Sequence, residues 1–498
     1  MASETLREIE LLLRARSPLL FIEAAEEGRV RDIVRRAALT VGVPYHRWTL
    51  GSGLVVAGGS PLYDTKDPAA ALRAIAGWPE DAVFHLEDLG PSLEAPAIRR
   101  AVKDVVHERG SKRRTLVITG TSLTIPADLA PLGARVPWSL PDDVELERVI
   151  ARVVNDLSRT MHVQVRLPPQ DQRELIRRLR GLTVHEAERA VGRAVADDLA
   201  LTSEDLETVT IVKREVLEAG GALELVTLDP DAPPRAAGLG RLWTWVDRRK
   251  NAFGEEARAF GLTTPRGILL LGVQGCGKSL AARVVAWKLR FPLLRLEAGR
   301  LFDKYIGESE KRLDRALAAV ERMAPCVLWI DEIEKALASG GDGHADGGLS
   351  TRLVGRLLTW LQERKAPVFV VATCNDPRAL PPELMRKGRF DEVFFVDLPS
   401  EADRAAIFAL HLQRRGRDPA TFDLVRAARA ASGFSGAEVE QAVVGALHRA
   451  FATGLDVATD DLVAEIEETR PLSLLRREEV QALRAWARER AVPAGEGE

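Results

Sequence analysis

Gly272-Val273-Gln274-Gly275-Cys276-Gly277-Lys278-Ser279 fits the G-x4-G-K-[ST] phosphate-loop pattern at every position. Ahead of it, residues 268–271 form a short apolar run suited to a buried strand, and residues 280–288 behind it carry a helical pattern. The glycines let successive backbone N–H groups turn toward one point, where they meet the positive end of the following helix. A polyphosphate fits there. Lys278 would reach the β- and γ-phosphates, and the Ser279 hydroxyl would ligate the Mg2+ that accompanies them. The plain alternative is a glycine-rich turn with an incidental lysine.

Candidate strands at residues 293–296, 326–330, 367–372 and 392–396 alternate with helices, which predicts a doubly wound parallel sheet with its ligand at the C-terminal strand ends. Val327-Leu328-Trp329-Ile330-Asp331-Glu332 is an apolar strand ending in two acids, the Walker B arrangement. Asp331 is suited to holding Mg2+, usually through water, and Glu332 to orienting and deprotonating the water that attacks the γ-phosphate. The strand that closes at Thr373-Cys374-Asn375 is expected between the other two, where Asn375 can hydrogen-bond the same water without competing for its proton. Arg386 and Arg389, near Gly388 and ahead of another strand, suit the projection of guanidinium groups at a charged oxygen cluster, although two solvent-facing arginines would read the same way.

Composition narrows the classes further. A chain of 498 residues has room for about three domains. Its net charge of −3 offers no global field for nucleic acid or an anionic membrane, and no basic groove or set of stacking aromatics stands out. No apolar run approaches the length of a membrane span. Three cysteines in a chain of this length point to a reducing cytoplasm, and the scattered histidines give no zinc spacing. Cys276 and Cys374 end neighbouring strands in the expected order, so oxidation of Cys276 would deform the phosphate loop, whereas simple packing explains the same residues.

The first half repeats the order of the second, α/β and then helices. Strands are expected at residues 19–22, 83–86 and 115–119, and helices at 28–39 and 95–108. Residues 181–191 (GLTVHEAERAV) match residues 433–443 (GFSGAEVEQAV) at five positions, which supports an internal repeat. The first-half counterpart of the phosphate loop, residues 23–28 (EAAEEG), has no lysine and carries acids where phosphates would sit. Glu87-Asp88 keeps an acidic pair in swapped order, Ser122 stands near the sensor position, and residues 131–134 lack both arginines. The expected organisation is therefore residues 1–140 as a degenerate α/β domain, 141–218 helical, 219–238 a Gly, Asp and Pro-rich linker, 239–398 the competent α/β domain opening on a helix over 239–260, and 399–498 a helical lid with a disordered tail from 492.

Taken together, residues 239 to about 445 resemble an AAA+ ATPase module: phosphate loop, Walker B, sensor Asn375, the Arg386 and Arg389 pair, and Gly436-Ala437 of the lid follow in order. The bipartite chain, with W-L-Q-E at 360–363, resembles the uncharacterised AAA proteins encoded in plastid, cyanobacterial and other bacterial genomes. The resemblance implies a P-loop NTPase fold with a helical lid, preceded by a degenerate AAA-like module. It also implies ATP and Mg2+ as ligands, and arginine fingers that act in trans within a homo-oligomeric ring, most often of six subunits. Lys304-Tyr305-Ile306-Gly307 is similar to the pore loop of AAA+ unfoldases, in which Tyr305 and Ile306 would grip a protein client; a tyrosine packed on a surface loop is the alternative. The stretch 339–348, whose Gly-rich composition predicts flexibility, falls where a second pore loop would lie. An Asp-x-Gly-Gly segment that often helps hold adenine is missing near residues 237–240. Two further readings stand beside remodelling: an ATP-dependent switch or scaffold that threads nothing, and, less favoured, a nucleic-acid-dependent ATPase.

Overall fold

The computed structural model describes residues 4–56, 59–107, 112–121, 123–159, 161, 163–219, 221–229, 233–297, 300, 306–338, 349–386 and 388–495. The chain divides into two units, Met1–Lys213 and Arg214–Glu498. In the first, strands β1 (Leu19–Glu23), β2 (Tyr45–Thr49), β3 (Gly53–Val55), β4 (Ala82–Glu87), β5 (Arg114–Gly120) and β6 (Ala134–Val136) form one sheet in the order β3-β2-β4-β5-β1-β6. All its pairings are parallel except the β2–β3 hairpin. Helices Asp143–Ser158, Pro169–Leu179 and Val184–Asp198 follow, with a small ribbon of β7 (Gln164–Val165) and β8 (Ala200–Leu201) in a stretch whose pattern is otherwise helical.

The second unit contains β9 (Leu223–Val226), β10 (Gly267–Gly272), β11 (Leu293–Leu296), β12 (Cys326–Ile330), β13 (Val368–Cys374), β14 (Glu392–Val396) and β15 (Val492–Pro493), ordered β15-β14-β10-β13-β12-β11-β9. β10, β12 and β13 are buried along their whole length, as parallel strands covered on both faces must be. Leu242, Ala281 and Val285, from helices Gly240–Asp247 and Lys278–Leu289, cover one face of the sheet. Leu313, Leu317 and Leu357, from helices Ile306–Arg322 and Leu349–Glu363, cover the other. A separate core under the lid helices gathers Phe408, Leu412, Val443 and Leu462.

The two sheets share one plan. Replacing β1, β2, β4, β5 and β6 by β10, β11, β12, β13 and β14 turns one strand order into the other, and each sheet adds one antiparallel edge strand next to β2 or β11. The repeated 181–191 and 433–443 segments agree in detail. Gly181 and Gly433 both adopt positive φ, and Thr183 and Ser435 both cap the next helix with reciprocal bonds to Glu186 and Glu438.

Three expectations are corrected. Residues 223–226, inside the expected linker, pair antiparallel with β11, because Leu223 and Leu225 supply apolar positions at the sheet edge. The helix expected over 239–260 breaks after Asp247 and resumes as Glu255–Ala259, since Asn251 and Gly254 are poor helix formers. The tail is not free from residue 492: Val492 and Pro493 pair with Phe394 and Phe395. Ala494 donates to the Phe395 carbonyl at 2.9 Å, accepts from Leu242 N at 3.1 Å and is fully buried. Truncation after Arg490 removes these bonds and uncovers part of the β14 edge, so it should lower the stability of the second unit by about 2–3 kcal/mol, read as an earlier urea midpoint.

Candidate nucleotide site

Between β10 and the Lys278–Leu289 helix the chain turns through Gly275 (φ +78°) and Gly277 (φ +88°), which only glycine adopts freely. A side chain at Gly275 would also collide with Ser435 Oγ at 2.9 Å, because the lid helix Gly436–Thr453 begins against this loop. Ala437 N donates to the Gly275 carbonyl at 3.0 Å, so the start of the lid helix meets the loop. Lys278 is only 7% exposed, and its Nζ donates to the carbonyls of Gly272 and Val273, each at 2.8 Å. Burial lowers its pKa, against the pull of nearby thiols and acids.

β13 lies between β10 and β12, which sets Thr373 beside the Walker B acids. Thr373 Oγ1 donates to Asp331 Oδ1 at 2.7 Å and accepts from Glu332 N at 2.9 Å. Ser279 Oγ donates to the same Asp331 oxygen at 3.2 Å. Ser279 and Asp331 thus offer two converging hard oxygen donors, a set that fits Mg2+ with waters completing its shell. Glu332 holds a left-handed backbone (φ +47°), and its Oε1 accepts from Asn375 Nδ2 at 3.1 Å. Lys335 pairs with its other oxygen. Asn375 N donates to buried Glu334 at 2.9 Å.

The arginine pair belongs to a turn that ends at the opposite end of β10. Asp391 accepts from Gly267 N at 3.0 Å and donates to the Gly267 carbonyl at 2.8 Å, which ties the end of the 386–391 turn to the start of β10. The phosphate loop leaves the other end of that strand, about 16 Å away at the rise of an extended chain. Arg386 is exposed, and Arg389 donates to the Glu383 carbonyl. Of the expected pore loop, Tyr305 lies outside the described residues and Ile306 opens the Ile306–Arg322 helix. Residues 339–348 and Ser122 also lie outside the described residues.

Sequence comparison gives the family. The profile of the "ATPase family associated with various cellular activities (AAA)" matches residues 268–398. Those of the SpoVK-like AAA ATPase N-terminal and second domains match residues 5–137 and 144–220. Uncharacterised AAA domain-containing ycf46 proteins of Trieres chinensis and Guillardia theta are each 33% identical, over 96% of both chains in the first case and over 97% of this chain and 94% of the relative in the second. The chain belongs to the AAA ATPases. An ATPase family protein 2 homolog of Caenorhabditis elegans is 33% identical over 39% of this chain and 26% of its own length. Among the described residues no helix is long and apolar enough to cross a membrane.

Thr373, Glu334, Lys335 and Arg295 join the site of this AAA ATPase without having been singled out in the sequence. Only Arg295 left a signal there, as one charge in the apolar run L-L-R-L. The first unit shows what its own cradle became. Glu26 is 9% exposed, and its carboxylate accepts from Val184 N at 2.6 Å, Trp138 Nε1 at 3.1 Å and Arg29 Nη1 at 3.2 Å. An internal anion therefore occupies the start of the Val184–Asp198 helix, the counterpart of the lid helix that meets Gly275. At the end of β4, Arg31 grips both oxygens of Glu87 at 2.9 and 3.1 Å, and Asp88 repeats the left-handed turn of Glu332 with φ +54°.

Desolvation pushes the Cys276 thiol up to about 12 and raises Cys374 as well, so both stay protonated at neutral pH. Iodoacetamide at pH 8 should therefore alkylate native Cys276 about two orders of magnitude more slowly than the urea-unfolded chain. Glu26→Ala leaves the Arg29 cation and a helix N-terminus short of a partner and should cost about 2–4 kcal/mol. Glu23→Ala, which breaks an exposed pair with Arg135, should cost under about 1 kcal/mol. Thermal unfolding measures both.

Proposed function

We propose that this AAA ATPase binds ATP with Mg2+ at residues 272–279 and hydrolyses it as a homo-oligomeric ring, six subunits being the expected number. In this reading the ring remodels or unfolds a protein client held by Tyr305 and Ile306. The observation that carries the ATPase reading is the paired geometry of the Walker B acids: Asp331 faces the Ser279 hydroxyl while Glu332 faces Asn375. Lys278 supplies a buried positive charge at the loop for the terminal phosphates. Glu332 accepts the proton of the attacking water, and Asn375 fixes that carboxylate and helps orient the water. Bound Mg2+, held by Ser279 and Asp331, would neutralise phosphate charge as a Lewis acid.

The ring is supported by the separation between the arginines and the loop. Within one chain the turn that carries Arg386 and Arg389 ends at Asp391, which is tied to the start of β10, whereas the phosphate loop leaves the other end of that strand, so in this reading the guanidiniums serve a neighbouring copy. Pore threading rests on the resemblance of residues 304–307 alone.

Complementation tests the arrangement. Lys278→Ala should abolish ATP binding and Arg389→Ala should lower turnover by about 10^3. Mixing the two inactive variants should restore part of the activity, because one contributes an intact finger and the other an intact loop; no recovery in mixed assemblies counts against the trans reading. Tyr305→Ala should keep most of the ATPase and lose client remodelling, whereas a switch that threads nothing would tolerate it. Glu332→Gln should retain ATP, turn over about 10^2-fold more slowly, and hold the client for identification.

A further inference from the structure

Arg295 is the single charge on β11, and its register places it across from Trp329 of β12 and Glu224 of β9. Its guanidinium lies 4.8 Å above the Trp329 ring. One Nη is 3.4 Å from Asp331 Oδ2 and the other is 3.6 Å from Glu224 Oε2, while the buried Nε has no hydrogen-bond partner. The other Asp331 oxygen, Oδ1, takes the hydroxyls of Thr373 and Ser279. Arg295 is therefore a cation stacked on an indole and shared loosely between two acids, one of them a candidate ligand of Mg2+.

We infer that Arg295, acting through Asp331 as a nearby counter-charge, weakens the hold of the site on Mg2+, and that Glu224 on the edge strand β9 sets by how much by drawing the guanidinium away from Asp331. The inference rests on the ATPase reading above. The first unit supplies the comparison. There a guanidinium grips Glu87 through two bonds of 2.9 and 3.1 Å, one to each carboxylate oxygen. In the second unit the contact is single and long. It orients Asp331 and leaves its charge available to a divalent cation. Groups that hold a metal-ligating carboxylate commonly tune the affinity of the metal.

The signs are opposite for the two acids' shared partner. Without Arg295, Asp331 faces the incoming cation with its full charge and no repulsion from a guanidinium close by. Without the Glu224 charge, the guanidinium belongs to Asp331 alone and opposes the cation more strongly. Glu224 lies on the edge strand β9, so a shift of that strand would reach the metal-holding acid Asp331 through the two ion pairs of Arg295.

The test uses the full-length chain and measures fluorescent-ADP binding as Mg2+ is titrated, for the parent, Arg295→Gln, Arg295→Lys and Glu224→Gln. The half-saturating Mg2+ concentration should fall about three- to tenfold in Arg295→Gln and rise about threefold in Glu224→Gln, the scale expected for one charge near a divalent ion in a wet site. Arg295→Lys should stay near the parent, and ADP binding in EDTA should be unchanged in all four. Trp329 emission, taken as the difference from Trp329→Phe, should respond to Mg2+ in the parent and not in Arg295→Gln. Identical Mg2+ dependence in all four proteins, or shifts of one sign in both charge-removing variants, overturns the inference. A parent that binds no ADP overturns the ATPase reading, and this inference with it.

Discussion

The site depends on the insertion of β13 between β10 and β12. That order lays the Thr373 hydroxyl against both Walker B residues at once, as donor to Asp331 and acceptor from the Glu332 amide. The left-handed turn at Glu332 then sends its carboxylate toward Asn375 instead of along the strand, while Asp331 stays facing Ser279. A non-glycine residue in this backbone region costs energy, and such cost is characteristic of positions held for function. The phosphate loop adds its own constraint. Gly272 would place a Cβ 2.0 Å from the Val396 carbonyl, so the sheet closes around the loop at a point where no side chain fits.

The same plan is built twice with different contents. Where the second unit brings a glycine loop to the start of a lid helix, the first brings the Glu26 carboxylate. Where the second leaves Asp331 lightly paired, the first clamps Glu87 with Arg31. One unit thus satisfies with its own side chains the charges that the other leaves open for a ligand.

Much of this was legible in the sequence for a physical reason. Central parallel strands are short apolar runs, so β10, β11, β12 and β14 appear at the expected positions, and the motif residues sit at their C-terminal ends where the chain must turn. The elements that escaped are those held by partners instead of by pattern. β2 carries His46 and Arg47 within an aromatic and charged stretch, β6 has three residues, β9 hides in a glycine and proline-rich passage, and β15 consists of two residues fixed by backbone bonds. Within the candidate site, Lys278, Asp331, Glu332 and Asn375 could be singled out because they fall in motifs of fixed spacing. Thr373, Glu334 and Lys335 act through neighbours in space, and a single sequence does not mark them. The opposed positions of the phosphate loop and Arg389 were not readable either, since they follow from the direction in which β14 pairs with β10.

A chain with two units on one plan, only one of them carrying the glycine and lysine loop, should have one place for nucleotide. The most direct measurement is the stoichiometry of ATP binding to the Glu332→Gln chain by equilibrium titration at saturating Mg2+. One ATP per chain is expected, all of it lost on adding Lys278→Ala. A second equivalent, or binding that survives Lys278→Ala, would contradict it.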